Sequence, residues 1–273
     1  MSSGMKDQLP DYWPMLKAYH HARESLYRTI ITDCCLPPAA LILDAACGDA
    51  FYSDLLATVL GPRVRIVAAD YNLATLRSHS LPTTGVQPCL TDVERAGLRP
   101  GSFDVVWMCR SMHSVIDPQR RVAALAALLR PGGRLIVIEN DLAHCPILAW
   151  PVDFEQHVQQ ALDRFLQQQC SNGASIDRYH ASRHLPAWLA RAGLRHITLL
   201  TYPVEDVVPL ADDVETYWRL WMNLRGSMIR PFLSSADWQA YSHAFDPASP
   251  DYVLNRPGFY CIEPTTVAWG IAP

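Results

Sequence analysis

Two aspartates in this chain close apolar stretches, and the second of them could bind the sugar of a nucleoside. Asp44 follows the apolar residues 41–43, and Asp70 follows a second apolar stretch at 64–69. Asp70 lies roughly 20 residues after a turn of small side chains, a position from which a carboxylate can accept two hydrogen bonds from ribose hydroxyls. The small side chains let a ligand approach the backbone closely. They are Ala45, Ala46, Gly48 and Ala50.

The elements that must position these carboxylates follow from the apolar patterns. Residues 41–43 form a short continuous apolar run, which is typical of a strand buried on both faces of a parallel sheet. Residues 51–60 predict a helix, and residues 64–69 predict a second buried strand. Strand, turn, helix and strand in this order predict the start of an α/β fold that binds its ligand beyond the carboxyl ends of the strands.

The bulk properties limit the classes of function. A length of 273 residues, with 49% hydrophobic and 18% charged residues, predicts one α/β domain, alone or with a small lid. A net charge of −4 disfavours a nucleic-acid substrate. The first 13 residues lack the apolar core of a signal peptide, and the chain has no apolar run of about 18 residues. We therefore expect a cytoplasmic protein without a membrane partner.

The eight cysteines do not predict a metal site or a disulfide framework. No pair has the C-x-x-C spacing, and no histidines lie at zinc-ligand spacing from a cysteine pair. We expect free thiols, with Cys47 and Cys109 as small, weakly polar residues at two predicted strand ends.

Four segments of the chain resemble class I S-adenosylmethionine (SAM) dependent methyltransferases, in particular the small-molecule type 11 and type 25 groups. Residues 44–50, DAACGDA, are similar to the family's D/E-x-G-x-G-x-G motif, with Gly48 as the retained glycine. Residues 89–93 (CLTDV) resemble the family's third strand and its acidic tip, residues 109–118 (CRSMHSVIDP) follow a fourth strand at 103–109, and residues 129–137 (LRPGGRLIV) resemble the entry into the fifth strand. Together with the strands around them, the four matches span about residues 41 to 140.

The resemblance implies an α/β, Rossmann-like fold with a seven-stranded, mostly parallel sheet, an antiparallel last strand and a helical lid formed by insertions. It implies SAM as cofactor and S-adenosylhomocysteine as product. In the family an aspartate and the backbone amide that follows it hold the adenine. The corresponding residues in this chain are Asp92 and Val93. The resemblance places the following residues at the cofactor: Asp44, Ala45, Ala46, Gly48, Asp70, Tyr71, Asp92, Val93, Cys109 and Arg110.

The N-terminal residues 13–33 predict an amphipathic helix with one arginine on its apolar stripe. Arg23 could pair with the methionyl carboxylate of SAM, assisted by Tyr19 or Tyr27, because a guanidinium binds a carboxylate through two parallel hydrogen bonds. The alternative is that Arg23 packs its stem on apolar neighbours and extends its charged head into water.

Two histidines are candidate general bases. His113 follows the predicted fourth strand and could remove a proton from an acceptor hydroxyl, or could only line the cofactor pocket. His144 follows the fifth strand and is the second candidate. Residues 139–141 resemble the magnesium site of catechol-type O-methyltransferases, but Arg110 stands near the position of a required carboxylate, so no metal is predicted.

The predicted organisation has four parts. Residues 1–35 form a helical cap, 36–205 the SAM-binding core with an insertion at about 144–182, 206–252 a helical lid, and 253–273 the final core strand. Within these parts we expect a helix at 185–194 and strands at 196–202 and 258–271. The lid is rich in aromatic side chains, which could either contact a flat acceptor or pack in the core.

These patterns predict methyl transfer to a small, aromatic or polyketide-like acceptor, with oxygen as the favoured atom, by a monomer or homodimer. Transfer to nitrogen or carbon remains open. So do a NAD-dependent oxidoreductase, which the turn disfavours, a methyltransferase of protein or RNA, which the charge disfavours, and a non-catalytic protein with a SAM-binding fold.

Overall fold

A single sheet organises the chain. The structure, a computed structural model, describes residues 8–78, 83–93, 97–140, 150–171 and 173–273. The described residues form a seven-stranded sheet in the order β3-β2-β1-β4-β5-β7-β6. Strands β1 to β5 are parallel, and β7 runs antiparallel between β5 and β6. This confirms the predicted fold class. The strands are β1 (Leu41–Ala45), β2 (Arg65–Asp70), β3 (Val86–Leu90), β4 (Phe103–Cys109), β5 (Leu129–Asn140), β6 (Arg195–Val207) and β7 (Tyr260–Ile271).

Helices cover both faces of the sheet. They are α1 (Trp13–Asp33), α2 (Phe51–Leu60), α3 (Leu73–Arg77), α4 (Pro118–Ala126), α5 (Val152–Gln168), α6 (Ala181–Arg191), α7 (Asp212–Ile229) and α8 (Ser235–Phe245). Both α1 and α2 have the predicted bounds. Among the described residues no helix is both long and apolar enough to cross a lipid bilayer.

The strands alternate between two cores, as a period of two requires. On β1, Ile42 joins the core beneath α1, α2 and the late helices, while its neighbour Leu43 joins the core beneath α4 and α6. On β4, Trp107 and Val106 divide in the same way. Both faces of the central strands are therefore dry, which explains their unbroken apolar runs.

Two elements, α6 and β6, differ from the sequence-based expectation. Strand β3 pairs with β2 up to Leu90, opposite Asp70, so Asp92 lies just beyond the strand end. Helix α6 begins at Ala181, four residues before the predicted start, and ends before Gly193, whose φ of 83° is the expected left-handed helix end. The predicted division of the chain at residues 35, 205 and 252 stays a prediction.

The late hairpin is longer than predicted. Strand β6 extends to Val207, and the prolines Pro203 and Pro264 lie directly opposite each other in the β6–β7 pair. In antiparallel strands, residues that lie opposite each other form hydrogen-bonded and non-hydrogen-bonded pairs in alternation. Two prolines in a non-hydrogen-bonded pair remove no hydrogen bond between the strands. Proline in the sequence therefore does not end either strand.

Candidate functional site

The carboxyl ends of four parallel strands bring the predicted cofactor residues to one edge of the sheet. Ala45 at the end of β1 lies opposite Ala69 of β2, and Asp70 lies opposite Leu90 of β3. Cys109 ends β4 on the other side of β1. In open α/β sheets ligands bind in the crevice outside these ends, so the topology places the motif residues where a ligand can reach them.

The turn after β1 adopts the backbone conformation that its motif glycines would favour, although two of them are alanines. Ala46, Gly48 and Ala50 have φ values of 60°, 58° and 60°. A left-handed alanine costs about 1–2 kcal/mol relative to its usual conformation. Strain of this kind persists where the surrounding structure enforces it, often at a ligand site. The turn is held by a hydrogen bond from the Cys47 N–H to the carbonyl of Ala69.

Asp70 is bonded to this turn. Its Oδ2 accepts the Gly48 N–H at 2.9 Å, and its Oδ1 accepts the Asn72 N–H at 2.8 Å. Burial raises the pKa of Asp70, and these backbone hydrogen bonds oppose the shift. Each carboxylate oxygen retains a further lone pair. Asp70 thus supports the turn and can still accept bonds from a ribose.

The Asp44 side chain is buried more deeply than that of Asp70. It is 1% exposed, and its Oδ2 accepts the Ser53 hydroxyl of α2 at 2.7 Å. Burial raises the pKa of Asp44 to about 7. Ala45 beside it is fully buried. The Asp44 side chain therefore ties the end of β1 to α2, and the partner found for it is internal.

The residues predicted at the adenine lie at the tips of β2 and β3. Tyr71 is 42% exposed, Asp92 is partly buried and Val93 is buried. Tyr12 lies close to Tyr71 and Asp70. Its burial, followed by the charges of these two residues, raises the pKa of its phenol. Residues before α1 therefore contribute to this part of the edge, which the sequence did not predict.

A second contact joins α1 to the turn through Asp49. Its Oδ2 lies 2.8 Å from Lys17 Nζ and 3.5 Å from His20 Nδ1. The His20 ring stacks on Phe51 at a centroid distance of 4.1 Å. Burial alone would raise the pKa of Asp49, but His20 and Lys17 hold it well below its usual range. The cap helix is thus fixed to the turn by charge.

Arg23 is buried in an ion pair instead of facing open space. It is 3% exposed and donates to both oxygens of Asp206, at 3.1 and 2.5 Å. Its Nη2 lies 3.4 Å from Glu263 Oε2. The alternative that its charged head reaches water is wrong. A role toward the cofactor carboxylate stays a prediction, because the partners of Arg23 within the chain are two carboxylates.

Glu263 of β7 is a centre of this buried network. Its Oε1 accepts Asn140 Nδ2 at 2.6 Å, Arg110 Nη1 at 3.3 Å and the Tyr217 hydroxyl at 3.3 Å. Tyr19 links the network to the cap, since its hydroxyl accepts from Arg110 Nη1 at 2.9 Å. Cap, sheet and late helices therefore meet at one cluster of two arginines and two carboxylates.

Glu139 fixes the turn that carries His113. Its Oε1 accepts the N–H groups of Ser111 and Met112, each at 2.8 Å. Burial raises the pKa of Glu139 to about 7, and the backbone bonds oppose that shift. Arg110 before them has a φ of 50°. The single 3₁₀ turn Met112–Ser114 then presents His113.

His113 is neutral at physiological pH. Burial, followed by the charges of Arg110 and Arg178, lowers its pKa to about 4. The second candidate base, His144, lies in 141–149, outside the described residues. In the described part of the chain, no group of three or more His, Cys, Asp or Glu side chains is arranged to hold a metal ion.

Comparison with known proteins identifies the central segment. Residues 43–137 match the family model described as a methyltransferase domain. Residues 43–137 are a class I methyltransferase domain. The matched segment begins in β1 and ends in β5, so it contains the turn, Asp70 and His113.

Two curated relatives of this methyltransferase domain have quinone-related names. A demethylmenaquinone methyltransferase of Paenarthrobacter aurescens is 24% identical over 164 residues, 58% of this chain and 63% of that protein. A ubiquinone biosynthesis O-methyltransferase of Xanthomonas campestris pv. campestris is 34% identical over 102 residues, 37% of this chain and 43% of that protein. The chain thus spans less than two thirds of these relatives.

A solved structure shares the fold over most of the chain. Phosphoethanolamine N-methyltransferase 2 of Haemonchus contortus, in complex with S-adenosyl-L-methionine, superposes with a TM-score of 0.51 at 14% identity. The match covers 90% of this chain and 52% of that one. At this identity the likeness supports the fold alone.

The methyltransferase domain brings the motif residues together, whereas the partners around it come from distant segments. Sequence reasoning missed Lys17, His20, Asp206 and Glu263. An isolated glutamate in the apolar segment 258–271 was the one available signal for Glu263. Nothing in the sequence linked it to Arg23, 240 residues earlier.

Proposed function

We propose that this protein uses SAM to methylate a small molecule, with oxygen as the favoured acceptor atom. The observation that carries the proposal is the hydrogen bond from the Gly48 N–H to Asp70 Oδ2, within a turn of left-handed residues. Such a turn exposes its backbone to a ligand, and the Asp70 carboxylate can accept hydrogen bonds from the hydroxyls of a ribose. The Xanthomonas relative, named as an O-methyltransferase, supports the choice of oxygen.

In this proposal the cofactor lies across the ends of β1, β2 and β3. Asp70 accepts hydrogen bonds from the ribose hydroxyls. Asp92 and the Val93 amide hydrogen-bond to the adenine, and Tyr71 lies beside it. The backbone at Ala45, Ala46 and Gly48 faces the remainder of the cofactor. These donors and acceptors fit a neutral adenosine better than a pyrophosphate, because Asp49, Asp70 and Asp92 would repel phosphate groups.

SAM supplies an electrophilic methyl group on a sulfonium sulfur. The contribution of the chain is to align the acceptor oxygen with that methyl and to exclude water. His113, being neutral, can accept the proton of a hydroxyl, or it can serve only as a wall of the site. Either role agrees with its place on the turn that Glu139 fixes.

The acceptor we propose is an aromatic or polyketide-like small molecule. The quinone-related names of the two curated relatives support it. The lid aromatics give less support than the sequence suggested. Tyr217, Trp218, Tyr241 and Phe245 are each at most 3% exposed and belong to the core.

Substitution of Asp70 tests the cofactor assignment. Asp70→Asn retains an oxygen for the Gly48 N–H but loses the charge, so we expect S-adenosylhomocysteine to bind roughly ten- to a hundred-fold more weakly in calorimetric titration. Asp104→Asn is the matched control, because Asp104 also accepts a backbone N–H, that of Leu41, at the opposite end of the sheet.

Unchanged affinity in a folded Asp70→Asn variant would contradict the assignment. Binding of NAD by the wild-type protein, without binding of S-adenosylhomocysteine, would contradict the proposed function and favour the oxidoreductase alternative.

A further inference from the structure

Two side-chain nitrogens of Arg110 have no hydrogen-bond partner among the described residues. Its Nη1 makes both of its hydrogen bonds, to the Tyr19 hydroxyl and to Glu263 Oε1. Its Nε and Nη2 have no hydrogen-bond partner within the described part of the chain, and neither is among the polar atoms closed off from solvent. The side chain is 16% exposed. Nε and Nη2 form the side of a guanidinium that binds a carboxylate through two parallel bonds.

The neighbours hold this guanidinium in place without neutralising it fully. It stacks over the Tyr19 ring, with the guanidinium carbon 3.9 Å from the ring centroid. Glu263 is shared, because it lies 3.4 Å from Arg23 and 3.3 Å from Arg110. Arg23 also has Asp206 as a two-bond partner, whereas Arg110 has one distant carboxylate oxygen. The cluster is therefore open toward an anion at Arg110.

The position of Arg110 favours the acceptor over the cofactor as the source of that anion. Its N–H donates to the carbonyl of Ile138 on β5, and its side chain contacts Glu263 on β7. Both strands lie on the side of β4 away from β2 and β3, where Asp70 and Asp92 are found. Arg110 also keeps a left-handed φ of 50°, a strained conformation for this residue type.

The charged residues near His113 also favour an anionic acceptor. Among the described residues, the cations Arg110 and Arg178 lower the pKa of His113, after burial. Arg178 is held by the carbonyl of Gln169 and the hydroxyl of Tyr179. An acceptor lying between the turn of His113 and Arg110 therefore meets positive charge, which favours an acidic molecule over a neutral or cationic one.

We propose that Nε and Nη2 of Arg110 bind a carboxylate on the methyl acceptor, so that the acceptors of this enzyme are small aromatic acids. The inference rests on the proposed function, because it assigns the acceptor of the same site. It makes Arg110 a residue that determines specificity. The bidentate pair orients the acid and leaves its hydroxyl to face the methyl donor.

The test compares two probes of equal size on protein saturated with S-adenosylhomocysteine. The probes are 4-hydroxybenzoate and 4-hydroxybenzamide, and calorimetry measures their affinities. We expect the wild-type protein to bind the acid about ten- to a hundred-fold more tightly than the amide. Arg110→Gln should abolish this preference. Arg110→Lys should retain part of it, because lysine keeps the charge but not the two-bond geometry.

Arg191→Gln is the matched control, because Arg191 is an exposed arginine that donates to Gln119 on the surface. It should leave the preference unchanged. Affinity for S-adenosylhomocysteine should stay within about twofold in all three variants, which also shows that they are folded. The ratio of acid to amide affinity within each protein is independent of small changes in stability.

Three results would overturn the inference: failure of the wild-type protein to bind or prefer the acid, a preference that survives in Arg110→Gln, or a loss of S-adenosylhomocysteine affinity in Arg110→Gln with an unchanged probe ratio. The last would assign Arg110 to the cofactor, where the family resemblance placed it. Failure of the wild-type protein to bind S-adenosylhomocysteine at all is a separate outcome that contradicts the proposed function itself.

Discussion

The two halves of the site are built in different ways. On the β1–β2 side, the contacts that define the turn join residues close in the chain: Asp70 reaches back 22 residues to Gly48, and Asp44 reaches 9 residues to Ser53. On the β4–β7 side, Arg23 bonds to Asp206 across 183 residues, and Arg110 bonds to Glu263 across 153. The first half is a local motif, and the second exists only when cap, sheet and late helices pack together.

This difference fits the two roles that we propose for the halves. The local half, which we propose binds the cofactor, lies within the matched methyltransferase domain. Much of the other half lies outside that segment: Asp206, Tyr217 and Glu263 follow residue 137. We expect the cofactor half to tolerate few changes in shape and the acceptor half to depend on charge.

The largest effect should come from breaking the long-range half. Arg23→Ala leaves Asp206 as a buried carboxylate without its cation, so we expect a loss of about 3–5 kcal/mol in the free energy of unfolding, measured by urea denaturation. Arg28→Ala on the same helix removes an exposed pair with Glu24 and should cost at most about 0.5 kcal/mol. Equal effects of the two substitutions would show that the buried cluster does not hold the halves together.

A smaller effect should come from the shape of the local half. Ala46→Val places a β-branched side chain at a φ of 60°, so we expect a loss of about 1–3 kcal/mol in stability, together with weaker binding of S-adenosylhomocysteine. Ala46→Gly is the control of opposite sign, because glycine adopts this conformation without strain. Normal cofactor affinity in a folded Ala46→Val protein would show that the turn does not surround the cofactor.

The smallest effect should be the response of His113 to pH near neutrality. Its pKa of about 4 lies below the unfolded value of about 6.5. The native state therefore binds fewer protons between these values, so this group reduces stability as pH falls from 6.5 toward 4. If His113 is the base, turnover should therefore show no histidine step between pH 6 and 8.

Glu139 provides the necessary control for that profile, because its pKa of about 7 lies in the same range. A step near pH 7 that disappears in Glu139→Gln belongs to Glu139. A step near pH 6.5 that disappears only in His113→Ala would contradict the lowered pKa of His113.

The sequence by itself determined the local half of this protein. The apolar run of β1, the small residues of the turn, the bounds of α1 and α2, and Asp70 at the end of β2 were all predictable, because the determinants lie within about 30 residues of one another. Ala46 and Ala50, which stand where the motif has glycines, also adopt the left-handed conformation. Neighbouring strands and bonds to Asp70 enforce that conformation.

Only the tertiary structure decided the other half. The sequence marked Arg23 as unusual on an apolar stripe but could not supply its partners, since Asp206 and Glu263 reach it through the pairing of β6 with β7. The role that we propose for Arg110 likewise rests on its contacts with Tyr19 and Glu263, which leave one side of its guanidinium without a partner among the described residues. Periodicity and motif spacing describe neighbours along the chain, whereas a buried charge is defined by what packing places around it.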